Sequence, residues 1–377
     1  MEDELDSKLA KLIEITGLDD CELLLKTLLE LEMNVEKSIE LLTKRKRRKV
    51  NDEIEIINLD PDLPDNQHPQ IGKPIIENPL LLIKDTTKPK PSLPMTLTKS
   101  NIHQHVPCEL IPDILPLDLS NDLLLEMLRD SKTFEPLPVY MFEKELVSPH
   151  TTCLYMDSHE SVPRKAMYYN GTEDTNVKDF TELMRLVRDR VMEAVNSRYK
   201  DTPRRKLELQ GDWKPNMVVV NHYAGPNESV GAHTDKITYI GPWPVIASLT
   251  LGASRTFRLR RNQLLDRPAQ TYDVLLEHNH LLIMFPPTQE HYKHEVPKVG
   301  SHLNTTRGTL VSHPIAGQSR INLTFRMARP EYSDQIPDCL CLAPSELRPV
   351  TKKQATLGKY FYLCGKGQCG FFKWLEK

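Results

Sequence analysis

The chain has 377 residues and a formal net charge of -3, with 29 Pro against 15 Gly. That length asks for two or three folding units, and the proline excess points to one stretch that packs no core. A near-neutral charge excludes a global attraction to nucleic acid or membrane, so any such surface must come from local clustering. The sequence shows no Arg-flanked apolar leader and no run of about 18 apolar residues, so a soluble, intracellular protein is expected.

Residues 1–45 carry helical spacing in three short segments: Leu9, Leu12 and Ile13, then Leu24, Leu25, Leu28 and Leu31, then Val35, Ile39 and Leu42. At the first break Asp19 offers an N-cap, with Glu22 three residues on. The pattern resembles the ubiquitin-associated or CUE-type three-helix module, which implies a ubiquitin or ubiquitin-like partner; a generic helical docking piece is the other reading. Lys44-Arg45-Lys46-Arg47-Arg48-Lys49 follows. This run is too charged to pack, and it predicts a nuclear import signal or a nucleic-acid patch, hence a protein of the nucleus. Ile54-Glu55-Ile56-Ile57-Asn58-Leu59-Asp60, set among acidic residues, looks like a strand-adding peptide of the SUMO-interacting kind. From Pro61 to Pro94 prolines recur without helical or strand period, so residues 46–104 are expected to form a basic, proline-rich disordered linker.

Order is expected to return near Ser100. Residues 117–128 and 177–199 read as helices, the second with Phe180, Met184, Leu186, Val187, Val191 and Val195 on an apolar stripe. Between them stand Phe134, Tyr140, Phe142, Tyr155, Tyr168 and Tyr169, with Arg164 and Lys165 beside the last pair. Aromatics interleaved with basic side chains can stack bases and hold phosphates. Beyond Trp213 the pattern turns to strands. Residues 217–223 are β-rich, with Asn221 and Tyr223 on one face. Segments 245–251 and 256–259 flank a hairpin at Gly252-Ala253-Ser254-Arg255, and segments 272–276 and 281–285 flank a turn at His278-Asn279-His280. Many strands with tight turns point to a sandwich or jelly roll.

The chemistry centres on Gly231-Ala232-His233-Thr234-Asp235. A His and an Asp two positions apart point to the same side of an extended strand, where they can grip one ion. His294, downstream in Gln289-Glu290-His291-Tyr292-Lys293-His294, is the candidate third ligand. Two His and one carboxylate leave the opposite metal positions open, which suits Fe(II) and O2. A solvated His–Asp pair would look the same in sequence; the segment from Arg320 to Arg326 argues for the metal. There Arg320, Asn322, Thr324 and Arg326 share one strand face, while Ile321, Leu323, Phe325 and Met327 share the other. With both faces reading as buried, the two arginines need carboxylates, and a small dicarboxylic acid is one supply. They lie roughly 20 Å apart along an ideal strand, which predicts different tasks. A Zn-dependent hydrolase on the same triad leaves the Arg320 strand without a purpose.

Asn221-x-Tyr223, His233-x-Asp235, the run from Ile246 to Ala253, His294-Glu295-Val296-Pro297 and Arg320-x-Asn322-Leu323-Thr324-Phe325-Arg326 occur in that order. Together they resemble the AlkB family of Fe(II)- and 2-oxoglutarate-dependent dioxygenases, over roughly residues 105–332. The resemblance implies an α+β protein with a double-stranded β-helix (jelly-roll) core and flanking helices, in addition to the N-terminal three-helix module. It implies Fe(II) on His233, Asp235 and His294. Arg320 would hold the distal carboxylate of 2-oxoglutarate, helped by Tyr223 and Asn221, with Asn322 and Arg326 near its metal-binding end. Such enzymes hydroxylate an N-alkyl group on a nucleic-acid base, and the product loses an aldehyde. The base has to leave the stack, and Tyr155 or Tyr168, with His233, would sandwich it. Two residues beyond the metal Asp the family often places a base-facing carboxylate. Here that substrate-binding position is Ile237, which puts recognition of a cationic base in doubt.

Seven cysteines are present, four of them at Cys339, Cys341, Cys364 and Cys369. In a reducing compartment this cluster reads as four thiolates on a tetrahedral Zn(II). With Gly358-Lys359-Tyr360-Phe361-Tyr362 and Gly370-Phe371-Phe372-Lys373-Trp374, residues 333–377 resemble the small GRF-type zinc finger, which implies binding to single-stranded nucleic acid. Lys359 stands where the motif's name implies Arg. Residues 354–361 also match the spacing of a sliding-clamp-binding peptide, with Tyr360 and Phe361 as core strand residues the competing reading. The whole reads as an oxidative dealkylase of N-alkylated bases in DNA or RNA. The alternative is a catalytically silent adaptor that binds single strands and is recruited through ubiquitin-type signals.

Overall fold

The computed structural model describes residues 93–141, 144–158, 168–169, 172–173, 177–262, 265, 269–300, 308–351, 354–365 and 369–376. The module at 1–45, the basic run, the SUMO-type segment and the linker as far as residue 92 lie outside the described residues. The chain enters through β1 (Met95–Leu97), α1 (Ile102–His105) and β2 (Cys108–Ile111), then α2 (Leu117–Asp130), β3 (Glu135–Met141) and β4 (Lys144–Met156). A short pair, β5 (Tyr168–Tyr169) and β6 (Thr172–Glu173), precedes β7 (Val177–Asp179) and α3 (Glu182–Tyr199). Next come β8 (Met217–Tyr223), β9 (Val230–His233), β10 (Ile246–Gly252), β11 (Ser254–Arg261), β12 (Thr271–Leu276) and β13 (His280–Met284). They are followed by α4 (Thr288–His291), β14 (Tyr292–Val296), β15 (Leu310–Val311), β16 (Arg320–Arg326) and α5 (Pro330–Ser333). The chain closes with β17 (Ser345–Pro349), β18 (Tyr360–Cys364) and β19 (Phe372–Trp374).

An eight-stranded sheet runs β2-β13-β10-β16-β8-β4-β3 with β7 beside β4, and a six-stranded sheet runs β1-β12-β11-β14-β9 with β15 beside β11. From β8 to β11 successive strands alternate between the two sheets, which is the jelly-roll winding expected from the sequence. One apolar cluster joins the sheets, with Ile246, Leu282 and Met284 from the larger meeting Phe257, Leu259, Val274 and Val296 from the smaller. A second cluster lies on the other face of the larger sheet, where Leu249, Leu251, Ile321, Leu323 and Phe325 pack with Leu123, Leu124 and Met127 of α2 and Met184, Val187 and Val191 of α3. The central strands β10 and β16 are therefore buried on both faces, and the polar residues of β16 point into the barrel.

Three expectations change, and the turn at 278–280 stands. The segment 252–255 is no hairpin, because β10 and β11 belong to different sheets. Gly252 at φ 83 turns the corner, and a Cβ there would lie 2.5 Å from the Ser319 carbonyl oxygen. The turn at 278–280 likewise passes from one sheet to the other, with Asn279 at φ 62 held by both of its amide groups to the Leu115 backbone. The helix expected from Val177 starts at Glu182: Val177–Asp179 pairs in parallel with β4, and the Thr181 hydroxyl accepts the Met184 N–H at 3.1 Å as the N-cap. Finally, residues 93–104 are not linker, since β1 pairs with β12 and Ile102 is fully buried.

Candidate active site

β9 and β14 run antiparallel with His233 opposite His294, so strand register alone sets the two imidazoles side by side, ring centres 4.3 Å apart. Asp235 follows directly, with Oδ1 3.6 Å from His233 Nε2 and 3.2 Å from His294 Nε2. All three ligand atoms lie within 4.8 Å of one another, which fits a single ion among them. The surrounding bonds orient each ligand. His233 Nδ1 donates to the Gly231 carbonyl at 2.7 Å, which frees Nε2 for metal. The Asp235 N–H donates to Gln289 Oε1 at 2.7 Å. Arg326 donates to Asp235 Oδ2 at 3.0 and 2.6 Å and leaves Oδ1 free. Burial alone would raise the Asp235 pKa, but Arg326 and the two imidazoles hold it well below the usual carboxylate range. Burial, then the neighbouring His233, lowers His294, so it stands ready as a neutral ligand. The His233 side chain is 38% exposed against 4% for Asp235 and 6% for His294, so the triad opens to solvent on the His233 side.

Deeper in the barrel, register aligns Tyr223 with Arg320 and Asn221 with Asn322. Arg320 is 1% exposed. Its Nη2 donates to Thr250 Oγ1 at 2.9 Å and to Asn322 Oδ1 at 2.7 Å, and its guanidinium lies 5.2 Å from the Tyr223 ring centre. Its Nε and Nη1 are buried without a hydrogen-bond partner, and burial lowers its pKa to about 10. A buried guanidinium with orphaned donors is costly, and a carboxylate that accepts from one of them lowers the cost. The distal carboxylate of a five-carbon dicarboxylate fits that vacancy of acceptors. Asn322 differs from expectation. Its Oδ1 accepts from Arg320 and Ser248, and its Nδ2 donates to Thr324, so it orients Arg320 rather than serving the metal end. Arg326 is the arginine of β16 that reaches the triad, through Asp235.

His150 on β4 is a site residue the sequence reading missed. Its ring stacks on Tyr223 at 5.0 Å and 19°, and its Nδ1 lies 3.1 Å from the Ser229 carbonyl. Burial lowers its pKa to about 4 against the Ser229 bond, with His233 and Arg320 adding to the drop, so it wedges Tyr223 as a neutral ring. No motif flags it, because Ser148-Pro149-His150 carries no metal-ligand spacing.

Two of the expected base-binding residues are placed otherwise. Tyr155 is 1% exposed, packs edge-on against Phe134 and donates its hydroxyl to Asp130 of α2, so it is core between strand and helix. Ile237 is also 1% exposed and belongs to the apolar cluster between the sheets, so it lines no open site. The side chain of Tyr168 lies outside the described residues.

In the C-terminal sheet β17-β18-β19, the Sγ atoms of Cys339, Cys341, Cys364 and Cys369 lie within 4.8 Å of one another. Burial pushes the Cys339 thiol up to about 12, a proton that Zn(II) displaces when four sulfurs close on it. Tyr360 and Tyr362 face inward, while Phe361, Phe372 and Trp374 form a ring cluster on the outer face, with centres 5.0 to 6.0 Å apart. Tyr360 is 1% exposed and hydrogen-bonded to Glu290, so of the clamp-type segment 354–361 it is Tyr360 that is a core strand residue.

The profile of the 2OG-Fe(II) oxygenase superfamily matches residues 107–326, and that of the GRF zinc finger matches residues 337–377. Among curated proteins, DNA oxidative demethylase ALKBH2 of Mus musculus is 30% identical over 182 residues, 45% of this chain and 64% of that protein. Alpha-ketoglutarate-dependent dioxygenase alkB homolog 3 of Mus musculus is 35% identical over 124 residues, 31% of this chain and 37% of that protein. DNA oxidative demethylase ALKBH2 of Arabidopsis thaliana is 26% identical over 214 residues, 50% of this chain and 56% of that protein. The chain thus spans less than two thirds of the length of each of these relatives.

Proposed function

We propose that this chain, which belongs to the 2OG-Fe(II) oxygenase superfamily, removes N-alkyl groups from the bases of single-stranded DNA and so reverses alkylation damage. The chain is a 2-oxoglutarate-dependent dioxygenase; its cofactors are Fe(II) and 2-oxoglutarate, and its finger takes Zn(II). The observation that carries the DNA reading is an iron triad open on one side, in a chain similar to proteins named DNA oxidative demethylases.

When bound, Fe(II) with 2-oxoglutarate and O2 supplies the oxidising power for an unactivated C–H bond, 2-oxoglutarate leaving as succinate and CO2. The protein's share is positional. His233, Asp235 and His294 would hold the ion, Arg326 keeps Asp235 ionised, and Arg320 with the wedged Tyr223 would receive the distal carboxylate. A base reaches the open side only when unstacked, and an alkylated base is cheaper to extrude because its pairing is already impaired. On the finger, the Phe361, Phe372 and Trp374 rings, with Lys359 Nζ 5.8 Å from the Trp374 ring centre, form a stacking platform for a single strand.

The test is anaerobic reconstitution with Fe(II), followed by measurement of succinate and formaldehyde from methylated single-stranded DNA and RNA oligonucleotides, with His233→Ala as control. Formaldehyde release that requires 2-oxoglutarate, favours DNA and disappears in the variant is expected. Succinate without aldehyde would overturn the substrate assignment while leaving the iron chemistry. Tight oligonucleotide binding with neither product would make the chain a silent single-strand adaptor.

A further inference from the structure

Asp235 sits at the start of a loop, residues 234–245, that joins β9 to β10 and forms no strand. Such a segment cannot take rigidity from a ladder of sheet hydrogen bonds, yet an iron ligand must be held to a fraction of an ångström. Within the oxygenase, the loop is tied by the Asp235 N–H to Gln289, by the Gly241 N–H to the Ile237 carbonyl and by Arg329 to Tyr239 and Pro242. Arg326 donates to Asp235 and Trp213 Nε1 donates to the Val245 carbonyl, also from within the oxygenase, and a further set of contacts comes from the zinc finger. Lys236, the residue after Asp235, pairs with Glu346 Oε1 at 2.6 Å, with only 8% of the Glu346 side chain exposed. The Leu347 N–H donates to Thr238 Oγ1 at 3.1 Å. Glu290 Oε1 accepts both the Trp243 N–H at 3.1 Å and the Tyr360 hydroxyl at 2.9 Å, and the Tyr360 ring meets Trp243 edge-on at 5.8 Å.

These contacts converge on two segments, the loop and α4, and both hold Asp235: the loop carries it, and Gln289 of α4 accepts its N–H. The apolar core is continuous across the same boundary. Ile237, Tyr239 and Ile240 of the loop share a cluster with Leu347, Tyr360 and Tyr362 of the finger. On the finger side, β17 pairs with β18 so that Ser345 stands opposite the zinc ligand Cys364, which ties the register of the contact strand to the metal site.

We propose that the finger is a brace on the iron-ligand loop, and that Glu346 and Tyr360 are positioning residues for the iron centre in addition to any contact the finger makes with nucleic acid. The inference rests on the reading of His233, Asp235 and His294 as the iron site and is independent of which substrate is oxidised. In a folded full-length chain the loop should then be ordered by the finger before any oligonucleotide binds.

The test uses full-length Tyr360→Phe, Glu346→Gln and Thr238→Val, each nearly isosteric. Thr238→Val removes the acceptor of the Leu347 N–H and leaves every bond within the finger in place. Zinc content is measured first, then amide hydrogen exchange over residues 234–243 without iron, then Fe(II) and 2-oxoglutarate affinity and uncoupled succinate formation without nucleic acid. With zinc retained, exchange in the loop should rise about tenfold, the loss of one buried hydrogen bond. Fe(II) affinity should fall several-fold in the same variants, and in Tyr360→Phe plus Thr238→Val together it should fall further. Unchanged loop exchange and unchanged Fe(II) affinity in zinc-loaded variants would overturn the brace. If Tyr360→Phe sheds zinc, Thr238→Val alone decides between the same two outcomes. A wild-type chain that binds neither Fe(II) nor 2-oxoglutarate would refute the iron site itself, a separate failure.

Discussion

The iron ligands come from β9, the loop after it and β14, whereas the four cysteines of the finger all lie between residues 339 and 369. The first set is made by long-range pairing: His233 meets His294 only because two distant segments share a register. The second set needs little beyond a three-stranded sheet and four soft ligands. Their surroundings differ in the same sense. Asp235 is flanked by Arg326 and Gln289, and the nearby barrel holds a buried arginine with donors to spare. Four thiolates close a tetrahedron and leave no open position, so the finger is built to keep its metal inert. A triad on one face leaves positions free for cofactor and oxygen. A site meant to react is thus assembled from afar, and a site meant to hold is local.

Removing a triad ligand should break the contrast most sharply. His294→Ala is expected to cut 2-oxoglutarate turnover at least about a hundredfold, beyond the usual cost of losing an orienting partner, with zinc content unchanged. Metal analysis showing zinc falling in step with iron would erase the distinction between the two centres. A smaller effect is expected from Arg326→Gln, which strips both bonds from Asp235 Oδ2. Fe(II) titration should show affinity about ten- to a hundredfold weaker, as for other orienting partners of metal ligands; equal affinity would mean Asp235 needs no cationic neighbour.

A third effect, on stability rather than on metal affinity, lies between the two centres, at Glu290. Burial raises its carboxyl from the ordinary 4.5 to about 7, and its Oε2 has no partner. The unfolded chain therefore ionises this group near 4.5 while the folded chain keeps it protonated. The stability it contributes is fully present below that value and is lost as pH rises toward 7, on the order of 3 kcal/mol in all. Glu290→Gln mimics the neutral form. Urea unfolding at pH 5 and pH 8 should show the variant gaining on the wild type at the higher pH, and a difference that ignores pH would mean the carboxyl is neutral or ionised throughout.

Much of the site was legible because its signals are local. His233-x-Asp235 and the alternating polar and apolar residues of β16 depend only on strand period, and the prediction that Arg320 and Arg326 do different work follows from their spacing. That the Asn322 amide is engaged by Arg320 and Ser248 is not legible, because only the assembled sheet supplies those partners. Tyr155 reads as a stacking aromatic until α2 brings Asp130 to its hydroxyl. His150 reads as nothing until Tyr223 lies against it.

By itself the sequence determined the ligand chemistry and the residue periods, since side-chain type and strand alternation belong to neighbours along the chain. The tertiary structure alone decided that β10 and β11 part into different sheets, that Ile237 is core, and that the finger shares its apolar cluster with the iron-ligand loop. The reason is physical: burial and hydrogen-bond partnership are properties of surfaces that meet, and these surfaces come from segments far apart in the chain.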